Sequence, residues 1–201
     1  MKFKTIKKEV HTKFTEKGSK FMGHAYPVTS ADEAEMILKE IRKTYYDATH
    51  NCYAWRVGTE KDKLFRYSDD GEPSGTAGKP IFDMLDKYEV TNLLVVVTRY
   101  FGGTKLGTGG LVRAYSQSAD ITLSEAQIIT QEVGTMVQIT CTYEEHPLIM
   151  RILNTYPVIR LNQEFTESVR ISVEIDETYL SGLERDIKNV TAGRGYENMR
   201  V

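Results

Sequence analysis

Hydrophobic and polar positions along the chain follow two periods in turn, and their order predicts the elements. Residues 3–13 and 18–28 alternate, the first imperfectly, with Lys and Thr falling between Phe3, Ile6, Val10 and Phe14. Two strands joined by a turn at Glu16-Lys17-Gly18-Ser19 are expected, the first at a sheet edge. Ser30 with Glu33 three residues on is a capping box, and Ala34, Ile37, Leu38 and Ile41 then share one face of a helix running to about Tyr45. Residues 51–57 read as a strand with alternating faces, residues 58–63 as a hairpin turn, and residues 64–67 as the returning strand. Pro80 suits the first turn of a helix whose buried face is Ile81, Met84, Leu85 and Tyr88. The unbroken run Leu93-Leu94-Val95-Val96-Val97 predicts a central strand covered on both faces. A helix from about Thr108 to Ala126 follows.

A new cycle begins near Gln131. Residues 132–143 read as a long strand, and Pro147 opens a helix to about Tyr156. Residues 158–161 and 165–175 are strands around an Asn162-Gln163 turn. Tyr179 to Thr191 is a helix ended by Gly193-Arg194-Gly195, and a short strand closes the chain. That β-α-β-β-α-β order is the ferredoxin-like pattern. The fold class is therefore α+β in two domains, residues 1–130 and 131–201.

Composition changes this picture little: 40% hydrophobic and 27% charged residues describe an ordinary globular chain. No apolar run is long enough to cross a membrane, the basic start lacks the apolar region of a signal peptide, and no membrane partner is expected. Cys52 and Cys141 stand far apart, which argues for a reducing cytoplasm over a disulfide framework. Charge is more informative. The net −2 divides into +2 over residues 1–130 and −4 over 131–201, and the first twenty residues alone carry +5. A polyanion would prefer the first domain.

The unusual chemistry lies between the apolar strand and the helix after it. Five of the nine residues from Gly102 to Gly110 are glycine: Gly102, Gly103, Gly107, Gly109 and Gly110. The ionisable groups around them, Arg99, Lys105 and Arg113, are all cationic. A cationic glycine loop opening a helix suits an anion, because the first helical amides point into the loop. A tight turn needing glycine for packing is the plain alternative. The loop is not a P-loop, since Thr108 stands where the lysine belongs, nor a dinucleotide fingerprint, since Val112 holds the third glycine position.

A second loop, residues 68–80, carries Asp69, Asp70, Glu72 and Lys79. Three close carboxylates can hold Mg²⁺ or do acid–base work, or they can cap turns and pair with Arg99 or Arg113 around a shared groove. His50 and Cys52 share a strand face, but Cys52 reads as a small core residue. No catalytic residue is assigned, His50, Asp69 and Asp70 being the candidates should there be catalysis, and His50, Asp69, Asp70, Glu72 and Lys79 form the supporting set. No metal-ligand spacing is present, and no cofactor is implied. Tyr53, Trp55, Tyr100, Phe101 and Tyr115 supply aromatic faces near the basic loops, suited to base stacking or to the core.

Three blocks together resemble the IMPACT family in its bacterial, YigZ-like form: His50-Asn51-Cys52-Tyr53-Ala54-Trp55, Ser68-Asp69-Asp70-Gly71-Glu72-Pro73-Ser74-Gly75-Thr76-Ala77-Gly78-Lys79-Pro80, and the stretch from Arg99 through Tyr115. The resemblance implies a first domain like ribosomal protein S5 domain 2, a sheet with helices on one face. It implies a second, ferredoxin-like domain similar to elongation factor G domain V. Eukaryotic relatives restrain a kinase pathway controlling translation initiation through an extra N-terminal domain that this sequence lacks, so that partner is not expected here. The favoured expectation is a non-enzymatic accessory of translation that binds RNA or the ribosome, with a translation-related protein as a further partner. The alternative is an enzyme or nucleotide-binding protein that acts on a phosphorylated small molecule with Mg²⁺.

Overall fold

The computed structural model describes residues 2–59, 63–132 and 134–199. The chain divides into two compact units, one of residues 3–130 and one of residues 131–201, with Lys2 grouped with the latter. In order, the elements through β7, which crosses that boundary, are β1 (Lys2–Ile6), β2 (Val10–Glu16), β3 (Ser19–Pro27), α1 (Ala31–Thr44), β4 (His50–Val57), β5 (Leu64–Ser68), α2 (Gly78–Lys87), β6 (Leu93–Tyr100), α3 (Thr108–Glu125) and β7 (Ile128–Glu132).

Five strands form an antiparallel sheet in the order β2-β3-β6-β4-β5. The central position of β6 follows from its sequence, since five successive large apolar residues need cover on both sides. Leu93, Val95 and Val97 point into a cluster with Ile81 and Leu85 of α2 and Leu111, Tyr115 and Leu123 of α3. Leu94 and Val96 point the other way, among Tyr53, Trp55 and the α1 residues Leu38 and Ile41. Each of these β6 side chains is fully buried, which contributes roughly 1.5–3 kcal/mol apiece before entropy is counted. At the start of α1, the Glu33 amide donates to Ser30 Oγ at 3.1 Å, and the Glu33 carboxylate reaches back to the Thr29 amide at 2.7 Å.

Several expectations need correction. Helices cover both faces of the sheet, not one, because α1 packs opposite α2 and α3. For the same reason β4 does not alternate between core and solvent; Asn51 through Val57 are all buried. The first strand breaks in two, since the consecutive charges Lys7-Lys8-Glu9 have no side to hide on. Its parts go to different sheets, β2 to the edge of the large one and β1 to a two-stranded sheet with β7. That last strand was not expected, because its pairing depends on a partner more than a hundred residues away. Of the 58–63 hairpin turn, residues 60–62 lie outside the described residues.

From Thr135 the second unit comprises β8 (Thr135–Cys141), α4 (His146–Leu153), β9 (Val158–Phe165), β10 (Val169–Ile175), α5 (Leu180–Val190) and β11 (Tyr196–Met199). Its sheet runs β11-β8-β10-β9, antiparallel throughout. Ile149 and Leu153 of α4 and Leu183 and Ile187 of α5 close its core against Val137, Ile139, Ile171 and Val173. No turn exists at Asn162-Gln163; both residues sit within β9 opposite Ser172 and Ile171. The chain reverses instead near Thr166, whose amide donates to Ser168 O at 3.0 Å.

The β2–β3 register places His11 opposite His24, their Nδ1 atoms 3.0 Å apart. His24 is 2% exposed and lies against the Tyr45 ring. Burial, assisted by the neighbouring His11, pulls its pKa down to about 4. An unfolded histidine titrates near 6.5, so between pH 6.5 and 4 the unfolded chain takes up a proton that the folded chain refuses. Stability therefore falls as pH drops through that window, by about 3 kcal/mol at its lower end. Urea unfolding at pH 7 and pH 5 should show a shallower acid loss for His24→Phe than for the unsubstituted chain.

Candidate functional site

Beyond Tyr100 the chain leaves the sheet into the glycine loop and re-enters regular structure at α3. Gly102 is required there for close approach. A Cβ at Gly102 would lie 1.9 Å from the Gly18 carbonyl carbon, because the loop is laid directly on the β2–β3 turn. The Gly102 amide donates to Ser19 Oγ at 3.2 Å, which ties the two together. Gly107 is the N-cap of α3, held at φ +73°, and brings no side chain to the helix end. The first turn, Thr108-Gly109-Gly110, carries no acidic residue either. The leading amides of this 18-residue helix thus have no capping side chain and face outward beside exposed Lys105 and Arg113.

Arg99 is elsewhere. Its position on β6 aims the side chain toward α2 and α3, and the residue is 5% exposed. Its Nη1 donates to Glu72 Oε1 at 2.5 Å, its Nη2 to Ser19 Oγ at 3.3 Å, and the guanidinium lies 5.6 and 5.7 Å from the Phe21 and Phe101 ring centres. Glu72, also buried, accepts a second hydrogen bond from the Tyr115 hydroxyl at 2.7 Å, and His50 Nε2 lies 3.8 Å from its other oxygen. This network joins β3, β4, the acidic loop, β6 and α3. Burying two charges is costly unless each is paired and hydrogen-bonded; here they pair with each other, and of the Arg99 donors Nε alone is buried without a partner among the described residues. The expected pairing of an acidic residue with Arg99 holds for Glu72.

The other two acids are committed to different work. Asp69 accepts the amides of Gly75, Ala77 and Gly78 at 2.8–2.9 Å, capping α2 from a distance. Asp70 accepts the Asn51 amide and an Arg42 Nη2 hydrogen, both at 2.7 Å, and its carbonyl meets His50 Nδ1 at 2.7 Å. Both carboxylates are thus engaged in holding local backbone and Arg42 in place. Among the described residues, no group of three or more His, Cys, Asp or Glu side chains is arranged to hold a metal ion. Lys79 is ion-paired with Asp83 one turn along α2. Cys52 donates to the Asp69 carbonyl at 3.0 Å, and burial pushes its thiol pKa up, which keeps it protonated and inert. Burial likewise raises the Tyr115 hydroxyl, which serves as a donor to Glu72.

The predicted residues thus separate into two levels. Gly103, Lys105, Gly107, Gly109, Gly110 and Arg113 form the outer loop and helix mouth; Arg99, Glu72 and His50 lie beneath, with Gly102 as the seam. Ser19 and Arg42 escaped the sequence reading. Neither has a local signal, since each acts on a group distant in sequence.

The Impact N-terminal domain family matches residues 17–123, which span the whole network and both loops, and a domain of unknown function matches residues 139–194. The IMPACT family member YvyE of Bacillus subtilis is 31% identical, over 94% of this chain and 87% of its own length. YigZ of Escherichia coli is 38% identical over 66% of this chain and 64% of its own length. A crystal structure of a hypothetical protein, 26% identical, superposes with a TM-score of 0.72, covering 100% of this chain and 97% of the other.

If the Glu72–Arg99 pair anchors the loops, truncating one partner strands the other charge in the interior. Glu72→Ala should lose about 3–5 kcal/mol, while Glu72→Leu combined with Arg99→Met should lose much less. Urea unfolding followed through Trp55, the one tryptophan and a core residue of this unit, distinguishes the two. Equal losses would show that the charge itself is not what matters.

Proposed function

The chain belongs to the IMPACT family, and we propose that it is a non-enzymatic accessory of translation that associates with RNA or the ribosome through the phosphate backbone. The observation that carries this reading is the uncapped N-terminus of α3. An 18-residue helix presents its leading amides beside two exposed cations, and its N-cap, Gly107, brings no side chain to satisfy them. Lys105 and Arg113 meet phosphate, while Gly103, Gly107, Gly109 and Gly110 let the backbone approach. Arg99 and Gly102 hold that surface in place from below, with Glu72 and His50 as their support. The +2 charge of residues 1–130 against −4 for the remainder favours the first unit as the polyanion's side.

We read the two units as domains 1–130 and 131–201, the first like ribosomal protein S5 domain 2. The second is ferredoxin-like, a reading supported by its β11-β8-β10-β9 strand order. A cytoplasmic setting agrees with two unpaired cysteines. The Mg²⁺-dependent reading draws no support from Asp69 and Asp70, whose carboxylates are occupied by backbone amides and Arg42.

Phosphate binding without base readout depends steeply on salt. In ribosome co-sedimentation across a salt gradient, Lys105→Ala with Arg113→Ala should weaken association. It should also flatten the slope of log K against log salt by about 1.4–1.8, two phosphate contacts' worth. Unchanged association of that variant at low salt would overturn the assignment.

A further inference from the structure

On the α1 side of the large sheet, cover is incomplete. α1 seals β4 and β6, yet the same face of β2 and β3 presents exposed Lys13, Thr15 and Lys20 and half-buried Met22. These residues floor a groove of about 710 Å³, within the ~300–1,000 Å³ range of small-ligand clefts. Tyr45, Tyr100 and Phe101 wall it. Tyr100 is set by the pleat: Arg99 turns inward to Glu72, so its neighbour turns outward into the groove. The Tyr100 hydroxyl donates to Asp47 Oδ1 at 2.8 Å, which fixes its ring. Phe101 is 49% exposed and is backed by the Arg99 guanidinium. Lys13 and Lys20 make no ion pair among the described residues.

Aromatic faces beside unpaired cations on a sheet form a surface that one class of ligand uses completely. We propose that this groove receives unpaired nucleotides of a single-stranded RNA, with bases stacked on the Tyr45, Tyr100 and Phe101 wall and phosphates on Lys13 and Lys20. The inference rests on the reading that the protein binds RNA, and adds a second contact region continuous with the glycine loop at Phe101. Stacking tolerates any base, because every base has a π-face. A duplex cannot use the wall, since its bases are already stacked inside. An acidic peptide would satisfy the lysines but leave the rings without partners. Asp47, the acidic group lining the groove, places the phosphates at the lysine edge, away from the Tyr100 wall.

A short oligoadenylate carrying 2-aminopurine, and the blunt duplex of the same sequence, test this with the full chain. Fluorescence anisotropy should show the single strand bound at least about 10-fold more tightly than the duplex, with 2-aminopurine emission changed on binding. Phe101→Ala should weaken the single-strand complex about 10-fold, and Phe101→Trp should retain it. Lys13→Ala with Lys20→Ala should flatten the salt slope by about 1.4. The partial exposure of Phe101 keeps the fold out of question, and Trp55 emission checks it. Equal binding of duplex and single strand, or a Phe101→Ala complex as tight as the original, would overturn the proposal. So would polyglutamate displacing the oligonucleotide equally well from both proteins. Lys105→Ala with Arg113→Ala separates the two regions. If that variant loses RNA while Phe101→Ala does not, the groove fails and the loop stands; the reverse result removes the loop and keeps the groove.

Discussion

The buried pair of Glu72 and Arg99 is the constraint on which the first unit's surface depends. One side chain comes from the acidic loop and the other from the end of the central strand. Together with Ser19 and Tyr115 they reach the β2–β3 turn and the long helix α3. A charge pair in the interior gains little over apolar packing, but it fixes geometry, because both ions need particular partners at particular angles. Here the partners are the segments that must meet for two glycine-bearing loops to lie side by side. Gly102 then fits against Gly18 only because the loop has been drawn down to the turn.

The two residues after Thr98 divide the labour of the site through the alternation of a strand. Arg99 points into the α2–α3 side and disappears from solvent; Tyr100 points to the opposite side and faces the groove. Phe101 then covers the guanidinium while remaining half in solvent. The region proposed to meet phosphate and the region proposed to stack bases are thus neighbours along three residues of backbone. Their common support is the same buried ion pair, so neither surface is independent of the interior.

Much of the first unit was legible from local patterns. The Ser30–Glu33 box, the apolar run at Leu93 and the glycine-to-helix transition at Thr108 each state their structure within a few residues, and the elements formed where expected. The failures share a cause. β7 exists because β1 is there to pair with it, His24 is perturbed because the fold buries it and the register sets it against His11, and Asn162-Gln163 extends a strand because β10 lies opposite. Turn-forming residues and isolated histidines carry no local mark of such partners.

The sequence by itself determined the helices and the central strand of the first unit, the concentration of glycine and cationic residues in one loop, and the charge difference between the chain's parts. These depend on backbone propensity, hydrophobic period and composition, all of which act over short range. Only the tertiary structure decided which cation stays outside. Arg99, Lys105 and Arg113 look alike in a row of letters, but strand direction and the buried Glu72 carboxylate take Arg99 inward and leave the other two in solvent. It likewise decided that Asp69 caps a helix, that helices lie on both faces of the sheet, and that α1 stops short of β2 and β3. Those outcomes turn on which distant groups compete for the same hydrogen bonds and the same apolar surface.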